Sequence, residues 1–68
     1  MFVWVEGYII NINAIEYVGK VYGERTHEKF TIYLNSGRDI TIYQQQLNGS
    51  PKIEDIRKMF LQKLGQSD

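Results

Sequence analysis

Apolar and polar residues alternate most regularly between positions 28 and 43. Phe30, Ile32 and Leu34 alternate with Lys29, Thr31 and Tyr33, and Ile40 and Ile42 alternate with Asp39, Thr41 and Tyr43. A period of two marks strands with one buried face. The residues between the two runs, Asn35, Ser36 and Gly37, set their register. A two-residue turn would pair Ile40 with Tyr33 and throw the two apolar sets onto opposite faces. A three-residue loop with Gly37 left-handed pairs Ile32 with Ile40 and Phe30 with Ile42, and glycine adopts that conformation most cheaply. A one-residue slip would flip every side chain, so the pattern predicts the three-residue loop. The outward face then carries Tyr33 beside Asp39, Thr31 beside Thr41, and Lys29 beside Tyr43.

The rest of the chain is patterned more weakly. Residues 2–5 and 8–12 are β-type runs separated by Glu6 and Gly7, which predicts a tight first hairpin. Asn11 and Asn13 flank Ile12 and predict a corner, because asparagine side chains readily bond nearby backbone. Residues 14–22 read as a third strand with Ile15, Tyr17 and Val21 on one face. Glu16, Val18, Lys20 and Tyr22 fall on the other, and Gly19 marks a bulge or a close approach. Residues 23–27 form a polar loop, and 44–49 a polar connector anchored to the core by Leu47. A helix is predicted over about 51–64. Ser50 suits its N-cap and Pro51 its first position. Gly65 suits its stop. Ile53, Ile56, Phe60 and Leu64 form its apolar stripe, flanked by Met59 and Leu61, with the stems of Arg57 and Lys63 at the margins. That arc is wider than one sheet contact requires.

Sixty-eight residues make a single domain, 1–68. A chain this short buries only about 60% of its unfolded surface, so it needs a disulfide, a metal or self-association to gain stability. With no cysteine and one histidine, self-association is the helper the composition leaves. The absence of cysteine also fits a reducing, cytoplasmic setting. Eight basic and eight acidic residues cancel, which argues against the basic stripe of a duplex-binding protein and against an anionic membrane surface. No stretch approaches the ~20 apolar residues of a membrane span, and residues 1–6 lack the charged and apolar regions of a signal peptide.

Candidate chemistry is sparse. His27 lies in a charged loop, Glu24-Arg25-Thr26-His27-Glu28, with no nucleophile or orienting partner at a suggestive spacing, and reads as a solvated histidine. Glu54-Asp55 and the Glu24/Glu28 pair sit in polar contexts that would not split their pKa values. The scattered glycines make no phosphate cradle. These observations predict no catalytic, cofactor-binding or metal-binding residue. Aromatic residues make up 13% of the chain. Tyr33 and Tyr43 face away from the helix-covered side, and Tyr22 joins them. Such a face packs across its own strands, anchors a protein partner, or stacks unpaired bases.

Residues 8–17, Tyr-Ile-Ile-Asn-Ile-Asn-Ala-Ile-Glu-Tyr, followed by 30–40 and a helix, are similar in layout to the small bacterial FlbD-type flagellar proteins. These share an early hairpin, an Asn-x-x-x-Ile-Glu segment, a strand–glycine–strand unit and a final helix. Here the first turn is shorter, the segment 19–29 is longer, and glutamines follow the last strand. The resemblance implies the fold, and no functional residue carries over from it. A similar strand–loop–strand rhythm occurs in the longer LytTR-type DNA-binding domains, whose basic loops have no counterpart here.

Taken together, the expected fold is α+β: a bent antiparallel sheet of about five short strands, or a partly open barrel, with one C-terminal helix on one face. The expected function is that of a non-enzymatic protein-interaction or regulatory module. It self-associates or binds a protein partner through a face drawn from Tyr22, Tyr33, Tyr43, Met59 and Leu61. The alternative is a nucleic-acid-associated protein using the Tyr33/Tyr43 face.

Overall fold

A computed structural model describes residues 1–66. Strands β1 (Phe2–Val5) and β2 (Tyr8–Asn11) form one antiparallel hairpin. A 3-10 turn, Ile12–Ala14, leads to β3 (Ile15–Val18), β4 (Lys29–Leu34) and β5 (Asp39–Tyr43), an antiparallel sheet ordered β3-β4-β5. The helix α1 (Ile53–Lys63) follows the second sheet. The layout is α+β as expected, with the five strands divided between two sheets and not closed into a barrel.

The main hairpin has the register its alternation dictates. Phe30 pairs with Ile42, Ile32 with Ile40, Thr31 with Thr41, Tyr33 with Asp39 and Lys29 with Tyr43. Gly37 has φ +89°, and the Leu34 N–H donates to the Arg38 carbonyl at 2.9 Å, closing the three-residue loop. Asn11 makes the predicted corner: its side chain accepts from the Asn13 N–H at 3.0 Å.

The third strand departs from its pattern. It is shorter than 14–22, with Tyr22 returning as an isolated bridge to Lys29. Ile15 pairs with Leu34 and Tyr17 with Tyr33, so two steps on β3 match one on β4. The extra residue, Glu16, reverses the parity. Tyr17 is therefore turned outward and half exposed, while Val18 packs against the core. Gly19 is the close-approach point. Its N–H donates to the Thr31 carbonyl at 2.8 Å, and a Cβ there would lie 3.3 Å from that oxygen.

The core joins Phe30, Ile32 and Ile42 of the sheet to Ile53, Ile56 and Phe60 of the helix, with Ile10, Ile12 and Ile15 sealing the side toward the first hairpin. Phe60 is fully buried and meets Phe30 edge-on at 6.3 Å between centroids. The wide apolar arc is used. Leu61 is buried, and Ile56 and Met59 reach toward Trp4 and Val5 of β1. Arg57, read from sequence as a marginal snorkelling residue, is buried, and its Nε donates to the Gly19 carbonyl at 2.8 Å. That bond satisfies a polar group that burial would otherwise strand.

Both helix ends are closed, one as expected and one not. Gly65 at φ +74° ends the helix, with Gly65 N–H to Gln62 O at 3.0 Å and Gln66 N–H to Leu61 O at 2.8 Å, the paired bonds of a Schellman motif. At the start, Ser50 is not the N-cap. Helical residues begin at Ile53, Lys52 occupies the cap position, and it makes no side-chain cap bond. The Gln44 Oε1 instead accepts from the Ile53 N–H at 2.7 Å, while its Nε2 donates to the Pro51 carbonyl at 3.0 Å. Nor does Leu47 anchor the connector, since it is 76% exposed. The adjoining glutamines fasten the segment: Gln45 Nε2 donates to Glu6 Oε1 and Gln46 Nε2 to the Thr26 carbonyl, both at 2.7 Å.

Two stability outcomes follow. Phe60→Ala should cost about 3–5 kcal/mol, comparable to the whole stability of so small a domain, as read from a chemical denaturation midpoint. Gln44→Ala should cost about 1–2 kcal/mol, whereas Ser50→Ala should stay within about 0.5 kcal/mol of wild type. Equal effects of the two would return the cap to Ser50.

Candidate functional site

Three surface features could carry function. The outer face of the β3-β4-β5 sheet gathers the predicted tyrosines. Register places Tyr33 and Thr31 on β4 outward, with Thr41 and Tyr43 beside them on β5. Tyr17 joins them through the bulge. This face is largely satisfied by its own members. Tyr17 and Tyr33 stack at 4.3 Å with 20° between their planes. Thr31 Oγ1 lies 3.1 Å from Thr41 Oγ1 and 3.4 Å from the Tyr22 hydroxyl. The Lys29 ammonium sits between two rings, 5.4 Å from the centroid of Tyr22 and 5.7 Å from that of Tyr43. Tyr22 and Tyr43 remain about half exposed, but Thr31 is buried. Of the other predicted contact residues, Met59 is partly buried on the far side of the helix-covered core, and Leu61 is turned inward. The five residues therefore do not form one surface: three tyrosines share a face, and the two helix residues lie elsewhere.

The second feature was hidden in the sequence. Val3 pairs with Ile10 and packs inward, whereas Trp4 pairs with Ile9 and Phe2 with Asn11 on the opposite face of the first hairpin. That face is bare: Phe2 is 69%, Trp4 72% and Ile9 71% exposed. The run Phe2-Val3-Trp4-Val5 is apolar at every position, so it carries no alternation to say which side is buried.

The third feature is a cleft of about 340 Å³ beside this face, lined by Trp4, Val5, Glu6, Gln45, Pro51, Ile56 and Met59. Glu6 is its one ionisable group. It occupies the first position of the two-residue turn at φ +49°, followed by Gly7 at +83°. Left-handed backbone at both positions suits the twist of a two-residue hairpin but favours Asn, Asp or Gly at the first. One Glu6 oxygen holds Gln45. The other, Oε2, is shut off from water with no hydrogen-bond partner among the described residues.

The remaining chemistry stays dispersed. His27 is exposed, with Nδ1 2.9 Å from Thr26 Oγ1. Among the described residues no three His, Cys, Asp or Glu side chains converge as metal ligands, and no helix is long and apolar enough to cross a membrane. The chain matches no family model, no curated protein and no solved structure.

The tyrosine face is expected to behave as packing. A double-mutant cycle on Tyr17→Ala and Tyr33→Ala, followed by thermal denaturation, should return a coupling of about 0.5–1.5 kcal/mol. Additive losses would mean that the stacked pair is energetically idle and free to open.

Proposed function

We propose that this chain is a small, non-enzymatic protein-interaction module that self-associates through the outer face of its first hairpin. The observation that carries this reading is the exposure of Phe2, Trp4 and Ile9 side by side on one β-ribbon. Three side chains of this size and exposure present roughly 400–500 Å² of apolar surface. The whole molecule exposes 4953 Å², so the patch is on the order of a tenth of it, comparable to the largest apolar patch of a monomer, which is often functional.

Energetics support the same reading. A two-stranded ribbon is marginal alone. Here its inner side carries Val3, Val5 and Ile10 against the core, while its outer side faces water. Covering that side with a second copy would bury on the order of 1,000 Å² in total, the lower bound for a specific interface. Formal net charge is zero, so no long-range repulsion opposes two copies meeting. The patch also has the composition of an interface centre, aromatic and without charge.

Light scattering at micromolar concentration should report twice the 8.0 kDa chain mass. Trp4→Ser combined with Ile9→Ser should restore the monomer with its circular dichroism unchanged, because both side chains lie outside the core. Tyr43→Ser should leave the dimer intact. A wild-type mass of 8.0 kDa across a wide concentration range would sink the reading.

A further inference from the structure

We infer that β5 is a pairing edge for a second copy of this chain, the two β5 strands meeting antiparallel about Thr41 and joining their sheets into one. This goes beyond the self-association reading above: it uses a different surface and is tested apart from it.

β5 is an end strand of its sheet, paired on one side only, to β4. The bonds at both ends of the main hairpin fix which way its backbone groups point. Leu34 N–H donates to Arg38 O at 2.9 Å, and Gln44 N–H to Glu28 O at 2.8 Å. An antiparallel ladder alternates between such pairs. Ile40 and Ile42 therefore bond to Ile32 and Phe30, while Asp39, Thr41 and Tyr43 turn their N–H and C=O groups away from β4. None of these outward groups has a hydrogen-bond partner among the described residues. Natural sheets blunt such edges with proline, lysine, a bulge or a very short strand. β3, at the other end of the sheet, is bent by its bulge at Glu16. β5 carries none of these devices. After Asp39 its residues, Ile-Thr-Ile-Tyr, are all β-branched or aromatic. The strands of the first hairpin offer fewer outward positions, Phe2 and Trp4 on one and Ile9 and Asn11 on the other.

The occupant follows from symmetry. Outward positions must meet outward positions, and 39, 41 and 43 are spaced evenly about Thr41. An antiparallel second copy matches all of them: Thr41 with Thr41, and Asp39 with Tyr43 on either side, each pair exchanging both of its N–H···O bonds. A shift by two residues would leave one outward position opposite the 35–37 loop or the 44–49 connector. The side chains agree with the symmetric register. On the outer face Thr41 Oγ1 already lies 3.1 Å from Thr31 Oγ1, and pairing extends that row across the axis. The Lys29 ammonium lies 5.7 Å from the centroid of the Tyr43 ring. Asp39 of the second copy takes the neighbouring place on Tyr43's open side, so opposite charges flank each tyrosine. The two Asp39 carboxylates stay about 13 Å apart along the strand, at ~3.3 Å per residue. On the inner face Ile40, partly buried, gains Ile42 of the second copy as a neighbour. Such an edge contact is smaller than a standard interface of about 1,200–2,000 Å², so it forms near millimolar and not micromolar concentration.

The test reads amide exchange with solvent, residue by residue, on the isotopically labelled Trp4→Ser, Ile9→Ser chain. That background removes the first-hairpin contact, so the two readings can fail separately. Raising the concentration from about 20 μM to about 2 mM should slow exchange at Asp39, Thr41 and Tyr43 about threefold or more. Thr41→Pro removes an outward N–H and no bond to β4, so the circular dichroism should persist while the concentration dependence at Tyr43 disappears. Asp39→Lys, at an exposed position, sets a second cation beside Tyr43 and should weaken the pairing about fivefold without touching the ladder. Exchange at the three residues that ignores concentration would overturn the inference. So would protection already complete at the lowest concentration, which would mean that the chain covers its own edge. Protection that skips one of the three would mean a shifted register and overturn the symmetric pairing.

Discussion

Phe60 set edge-on against Phe30 is the contact on which the remaining structure depends. Phe30, Ile32 and Ile42 project from one side of a single strand pair only because the 35–37 loop has three residues. With that phase set, the sheet has one apolar face, and the helix has one stripe that can cover it. The fully buried residues of this contact, Phe30, Ile32, Ile42, Ile53 and Phe60, all belong to the strand pair or to the helix. The first hairpin is added to that nucleus through Ile10 and Ile12, and its other face is left without a cover.

Polar residues do much of the joining. Gln44, Gln45 and Gln46 follow β5 directly, and each side chain spans a separate gap: to the helix start, to the first turn and to the 23–27 loop. Arg57 makes a fourth link, from the helix to the backbone of Gly19. Such groups are costly to bury alone and, once satisfied, specify one arrangement over others. The segment therefore acts as a clasp that ties the end of β5 to the helix start, the first turn and the 23–27 loop.

What could be read from the sequence follows from where phase information lies. The 28–43 hairpin was legible to its register because alternation and a loop glycine constrain it jointly. The helix stripe and its Gly65 stop were legible for the same reason. Glu16 carries no local mark of a bulge. Strand parity there is set by pairing with β4, so Tyr17 emerged on the opposite face from the one alternation implies. The helix start was misplaced because a residue nine positions away supplies the cap, and local preference for Ser50 and Pro51 is silent on that. Part of the tyrosine face was legible as a face. The Phe2, Trp4, Ile9 surface was not, because an all-apolar strand conceals which side meets solvent. Leu47 misled in the same manner: a lone apolar residue in a polar connector was assigned to the core, and it lies in water.

The Gln44 cap also bears on how the chain assembles. A helix of 11 residues is too short to persist alone in water. Its first amide is closed by a side chain that takes position only when β5 is in place. Nucleation of the helix is thereby made conditional on completion of the sheet, and the sheet's apolar face is covered only when the helix forms. Neither element gains from appearing first. A barrier crossed by both together would have the diffuse nucleus of a nucleation–condensation mechanism. In the native ensemble that cap opposes fraying of the helix from its start, and the helix amide protons should exchange with solvent chiefly through global opening.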